Sequence, residues 1–324
     1  MQRRSFLAGL VAALTPQFAR ADDRPNKEVL AFYYGWYGPD AHWATPGALH
    51  TPVNGRYDSQ DPAVIRRQIA MMKDAGITGL IASWWGKDDP TDRQLALLLE
   101  AASDAGIKVC AYVENVASPA VLAEQLLYLH ASYAAEPAWL LLKGKPVVFL
   151  YDRVLQTIGL DGWQAARAIV EKAAPGAFAT IATGNGRGQI EERAPYFDGL
   201  HIYDMAYYLA QKHNFAWQWR WQFYDSWVKN QKGLSVTTAT IMPGFDDHII
   251  AGRPLPRPFV DRDGGELFRN LWRAAIRANP DWILIVSFNE WHEGTEIEPS
   301  QENGSRELQT CKEMSKPFLR NTLG

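Results

Sequence analysis

Eight short apolar runs recur along the chain, each followed by a longer stretch of mixed polarity. They are EVLAFYYGW (28–36), ITGLIASWW (77–85), IKVCAYVEN (107–115), KPVVFLYD (145–152), AFATIAT (177–183), DGLHIYD (198–204), LSVTTATIM (234–242) and DWILIVSF (281–288). Most are almost continuously apolar, as parallel strands buried on both faces are. Helical spacing fills the gaps. In DPAVIRRQIAMMKDAG (61–76), Val64, Ile65, Ile69, Met72 and Ala75 share a face, with Asp61 as cap and Gly76 as stop. Similar patterns cover 90–105, 118–135, 161–174, 217–231, 264–279 and 305–319, whereas RGQIEERAPYF after the fifth run allows only a short helix. Strand and helix alternating eight times predict a single (β/α)8 TIM barrel over residues 22–324. A doubly wound open sheet is the alternative, but no GxGxxG follows the first strand.

The N-terminus does not fit this pattern. Arg3-Arg4 precede Ser5-Phe6-Leu7, a short apolar stretch and Ala19-Arg20-Ala21, which together read as a twin-arginine signal peptide over residues 1–21. The apolar stretch is too short to span a membrane and is broken by Pro16. Its removal takes away three arginines and no acid, moving the formal net charge from −3 to −6. The mature chain is expected in a bacterial periplasm or outside the cell. Its acidic balance argues against nucleic acid as a partner.

Chemistry is expected where the strands end, at the C-terminal face of the barrel. Those ends carry Tyr34 and Trp36, Trp84 and Trp85, Glu114, Tyr151 and Asp152, His201, Tyr203 and Asp204, Asp246-Asp247, and finally Asn289, Glu290 and Glu293. Rings and carboxylates without lysine suit a sugar site rather than Schiff-base or phosphate chemistry. Thirteen tryptophans agree with this. Of Trp84 and Trp85, one ring is expected in the barrel wall and one in the cleft. Trp217, Trp219, Trp221 and Trp227 have the spacing of helix packing. Asp246-Asp247 is either a loop cap or part of the site.

The last strand runs into SFNEWHEGTEIEPS, with four carboxylates at 290, 293, 296 and 298. Glycoside hydrolysis ordinarily needs two carboxyl groups across the scissile bond. Glu290 and Glu293 flank Trp291 and His292, Asn289 is able to orient a neighbour, and Gly294 allows a tight bend. Solvated loop charges are the alternative for the pair. Glu296 and Glu298 are expected at the surface or in support of the loop. Glu114 is either a polar rim residue or an acceptor for sugar hydroxyls. Neither the two cysteines, Cys110 and Cys311, nor the seven histidines show metal-ligand spacing, so no metal or cofactor is expected.

The ordered set VLAFYYGWYG, HW (42–43), YDSQDPAVIRRQI, AGITGLIASWWG, KPVVFLYD, DGLHIY, PGFDD and SFNEWHEGTEIE resembles glycoside hydrolase family 99, the endo-α-mannosidase and endo-α-mannanase family. The resemblance covers about residues 28–298. It implies a (β/α)8 barrel that cleaves α-mannosidic bonds inside a glycan with retention, through a 1,2-anhydro sugar. Glu290 would be the base for the sugar 2-hydroxyl and Glu293 the general acid and base. Glu114, Tyr34, Trp85, Tyr203 and His201, with Trp291 and His292 of the same motif, would contact the oligosaccharide or polysaccharide substrate. The chain is expected to act as a monomer. Two departures stand out: the segment between Trp36 and His42 is short, and Glu114-Asn115-Val116 replaces an acid followed by proline and an aromatic.

Overall fold

The computed structural model describes residues 24–320 apart from 40, 45, 46, 211–215 and 254, and of 216–219 the backbone alone. Residues 1–21, expected to be a signal peptide, lie outside the described residues. All eight expected strands are present: β1 (Glu28–Tyr33), β2 (Gly79–Trp84), β3 (Lys108–Val113), β4 (Lys145–Leu150), β5 (Ala179–Thr183), β6 (Gly199–His201), β7 (Thr238–Ile241) and β8 (Trp282–Ile285). They pair in parallel in chain order from β1 to β6, and β8 lies between β7 and β1. The seam between β6 and β7 is closed by a side chain, the Thr238 hydroxyl donating to the Leu200 carbonyl at 2.6 Å. The result is a (β/α)8 barrel.

Local chemistry sets the helix starts. Helices Pro62–Asp74, Pro90–Ala105 and Pro119–Ser132 each begin with proline, and Asp61, Asp89 and Ser118 accept from their first-turn amides. On the first of these, Val64, Ile65, Gln68, Ile69 and Met72 form the buried stripe. The helix expected at 161–174 instead starts at Asp152, directly at the end of β4, and is interrupted at Gly159 with φ +66°. Its extra first turn brings Arg153 to the mouth of the barrel. Trp227 is buried, as its spacing predicts, while Trp221 is exposed.

Aromatic rings plug the barrel in layers. Phe149 lies 6.4 Å from Trp282 at the lower level, and Phe32, Tyr112 and His201 come next, with Phe32 4.9 Å from Tyr112 and 5.7 Å from His201. Tyr203 stands above, 5.2 Å from Phe32. Each fully buried ring of this kind stabilises the fold by about 1.5–3 kcal/mol relative to exposure. The upper layer is also the floor of the site.

Candidate active site

The loop leaving β8 turns inward, and every residue from Val286 to Glu298 is buried. Its neck is pinned by Ser287, whose hydroxyl lies 2.9 Å from that of Thr295 and accepts from the Glu290 amide at 2.7 Å. Asn289 acts as a surrogate strand residue: it accepts from the Tyr34 amide and donates to the Tyr34 carbonyl, both at 2.8 Å. This locks the exit of β8 to that of β1. Gly294 makes the return bend at φ +59°, and a Cβ there would come within 2.6 Å of Leu49. Only glycine fits the bend without moving that neighbour.

Glu290 and Glu293 face one pocket in unlike surroundings. Oε1 of Glu290 accepts from the His292 amide at 3.0 Å and lies 3.0 Å from Nδ1 of the same histidine. Nε2 of His292 sits 2.8 Å from the His42 carbonyl. Two acceptors thus face the two ring nitrogens, which calls for a proton on each and a charged imidazolium. Burial opposes that charge, but the hydrogen bond and charge of Glu290 outweigh it and raise the His292 pKa. Glu293 is instead pushed up to about 7, first by burial, then by the charge of Glu290, with Arg253 pulling the other way. Arg253 bridges Glu293 at 2.6 Å and Asp247 at 2.8 Å. A third carboxyl, Glu114, accepts from Ser83 at 2.8 Å and is raised to about 8, above all by burial.

Rings complete the walls around a cavity of about 110 Å³. The Tyr34 hydroxyl donates to that of Tyr203 at 2.5 Å, and Tyr203 donates to Oε2 of Glu293 at 3.4 Å. Trp85 lines the cavity while Trp84 is buried in the wall, donating to Asp92 at 2.9 Å. Of the residues singled out from the sequence, Glu290, Glu293, Glu114, Tyr34, Trp85, Tyr203 and His292 come together here.

Two stand elsewhere. His201 is in the layer below the pocket, its Nε2 3.3 Å from the Thr183 hydroxyl, and burial holds it neutral with a pKa lowered to about 3. It points inward like Tyr203, two residues on, but one layer deeper. Trp291 faces away from the cavity: it is fully buried, packs 6.4 Å from Trp43 and donates to the Tyr57 hydroxyl at 3.1 Å. Neither is placed to touch a sugar.

Of the two expectations for Glu296 and Glu298, surface or support of the loop, the second holds, since both are buried. Glu298 accepts from Tyr57 at 2.7 Å and from Gln68 at 2.9 Å, and Tyr57 is the hydroxyl that receives Trp291 and Asn289. Glu296 pairs with Arg262 at 2.6 Å and His50 at 2.8 Å. Arg262 also donates to the Gly294 carbonyl at 3.0 Å and bridges to Glu307 at 3.1 Å. The two acids brace the loop after β8 from behind. Arg253 and Arg153 are pocket residues that pattern reading missed. Arg153 directly follows an expected strand end, a signal that was there to be used; Arg253 lies in a loop without periodicity.

Among the described residues no group of three or more His, Cys, Asp or Glu could hold a metal ion, and no helix is long and apolar enough to cross a membrane. Cys110 and Cys311 are buried free thiols.

Comparison with known proteins supplies the family. The pattern defining Glycosyl hydrolase family 99 matches residues 44–312. A mouse glycoprotein endo-alpha-1,2-mannosidase-like protein is 26% identical, over 89% of this chain and 73% of its own. The Xenopus laevis glycoprotein endo-alpha-1,2-mannosidase is 25% identical, over 85% of this chain and 70% of its own. Among solved structures, the GH99 endo-alpha-mannosidase from Bacteroides thetaiotaomicron superposes with a TM-score of 0.76 at 27% identity, covering 93% of this chain and 98% of that one. With the matched pattern covering most of its length, the chain belongs to glycosyl hydrolase family 99 and is a glycoside hydrolase.

Proposed function

We propose that this glycoside hydrolase cleaves α-mannosidic bonds within a glycan or polysaccharide, retaining the anomeric configuration by participation of the sugar's own 2-hydroxyl. One observation carries the proposal. Two glutamates three residues apart share a pocket, one 3.0 Å from a ring nitrogen of His292 and the other buried, with a pKa raised to about 7 so that both of its forms are populated near neutrality. The relatives' names, endo-alpha-1,2-mannosidase and endo-alpha-mannosidase, support the linkage class and the endo action.

In this mechanism Glu290 takes the proton of the C2 hydroxyl. O2 forms a bond to C1 as the C1–O glycosidic bond breaks, and Glu293 gives its proton to the departing oxygen. The product on the donor side is a 1,2-anhydro sugar. Glu293, now a carboxylate, takes a proton from water, whose oxygen bonds to C1 while the C1–O2 bond opens. Glu290 returns its proton to O2, and both groups regain their starting states. No glycosyl-enzyme bond forms, so the carboxyl separation rule for the usual retaining and inverting enzymes does not apply. His292 serves as the charge partner of Glu290. Tyr34, Tyr203 and Glu114 offer hydroxyl and carboxyl groups to the sugar, and Trp85 offers a ring face. The signal-peptide reading of residues 1–21 supports action in the periplasm or outside the cell.

The test is hydrolysis of α-mannans and other bacterial polysaccharides by the purified protein, with product lengths measured. Glu290→Gln and Glu293→Gln should each stop turnover while leaving sugar binding measurable. Normal activity in either variant would refute its assigned role.

A further inference from the structure

Several charges around the pocket are matched in pairs. His292 is paired with Glu290, and Arg253 with Asp247 and Glu293. Asp152, beside the pocket in sequence, is turned to Arg193 at 3.0 Å. Arg153 lines the same cavity, yet among the described residues it enters no ion pair. Its guanidinium lies 5.3 Å from the Trp85 ring and 5.4 Å from the Tyr151 ring. The guanidinium thus lies over both rings, and its fork of N–H donors matches a carboxylate or phosphate.

The helix itself does not favour a cation at that position. Arg153 is exposed and stands in the first turn of its helix, the end at which a cation is disfavoured. Glu114 lines the same cavity and feels its charge. However, Glu114 is bonded to Ser83, and burial keeps it largely in the acid form near neutrality. The pocket of three glutamates therefore presents an unmatched positive charge at its rim, next to the ring expected to carry a sugar.

We propose that Arg153, held on Trp85 and Tyr151, forms a subsite for an anionic substituent on the glycan, a carboxylate or a phosphate. The favoured substrate is then an acidic α-linked polysaccharide or oligosaccharide rather than a neutral mannan. This rests on the pocket being the sugar site and extends the α-mannoside reading to the class of sugar.

The experiment compares one α-mannooligosaccharide in three forms: neutral, oxidised at C6 to the uronate, and phosphorylated at C6. The wild-type protein should show a kcat/KM about tenfold higher for one of the anionic forms than for the neutral one, and the preference should fade as salt is added. Whichever form is favoured identifies the anion. Arg153→Gln should abolish that ratio and Arg153→Lys should keep part of it. Equal or better cleavage of the neutral form by wild type would overturn the proposal, as would a preference that survives Arg153→Gln. Equal losses on all three forms would make Arg153 a plain hydroxyl donor and overturn it too. If none of the three is cleaved, the α-mannoside reading fails separately. The subsite is then decided by calorimetric titration of the same proteins with D-mannuronate, D-glucuronate, D-galacturonate and mannose 6-phosphate, each beside its parent hexose. Tighter binding of an anion that Arg153→Gln removes supports it; no such preference overturns it.

Discussion

Replacing Arg253 by Gln isolates what sets the protonation of the proposed acid. Glu293 is raised to about 7 because burial and the charge of Glu290 exceed the opposing pull of Arg253. The guanidinium lies 2.6 Å from Glu293 and favours its carboxylate form. Its removal must move the Glu293 pKa further up. An adjacent opposite charge shifts a carboxyl group by about 1–3 pH units. Arg253 is 38% exposed, so water screens it and the lower end applies, about one pH unit. The first bond formation needs Glu293 protonated, so kcat/KM should fall as pH rises through about 7 in the wild type. In Arg253→Gln that alkaline limb should lie about one unit higher, whatever the change in absolute rate. The assay is kcat/KM against pH from about 4 to 10 on an activated α-mannoside. An alkaline limb that stays in place, or moves to lower pH, would refute the assignment of Glu293 as the acid.

Three further outcomes follow from the same contacts. Trp291→Ala should cost about 3–5 kcal/mol of stability in a denaturant titration, because it empties a buried site behind the loop; a raised KM with unchanged stability would instead mean a sugar contact. Glu298, raised to about 7 by burial against the pull of Gln68 and Tyr57, binds its proton more tightly in the folded than in the unfolded chain. It therefore lowers stability as pH climbs from its ordinary range through about 7, and Glu298→Gln should make the fall in unfolding free energy over that window smaller by about 3 kcal/mol. An unchanged slope would contradict the burial of that acid. Arg262→Met should cost about 3–5 kcal/mol, since Glu296 and Glu307 would both lose their buried partner; calorimetry showing no loss of Tm would mean the pairs do not brace the loop.

The barrel was readable because its strands are buried on both faces and so remain apolar throughout, and because Asp61, Asp89 and Ser118 mark helix starts next to proline. The helix after β4 was misread at its start, since Gly159 makes the break that looks like a beginning and the turn before it carries little periodicity. At the site, residue types at strand ends were legible but depth was not. His201 and Tyr203 share an inward direction, and only packing places His201 in the layer of Phe32 and Tyr203 above it, edge-on to that ring. Trp291 lies between two pocket residues in sequence and turns to the opposite side, against Trp43 and Tyr57. Glu296 and Glu298 looked like surface charges because their partners, Arg262, His50, Tyr57 and Gln68, come from distant segments. Local patterns carry no information on such pairings.

The central claim, retaining endo cleavage of an α-mannoside by Glu290 and Glu293, is tested most directly by following the anomeric signals of an α-1,2-linked mannooligosaccharide by NMR during its hydrolysis. The expected first product is an oligosaccharide whose new reducing end appears as the α anomer and only later equilibrates. A β anomer appearing first, release of single mannose units alone, or unchanged product formation by Glu290→Gln would contradict it.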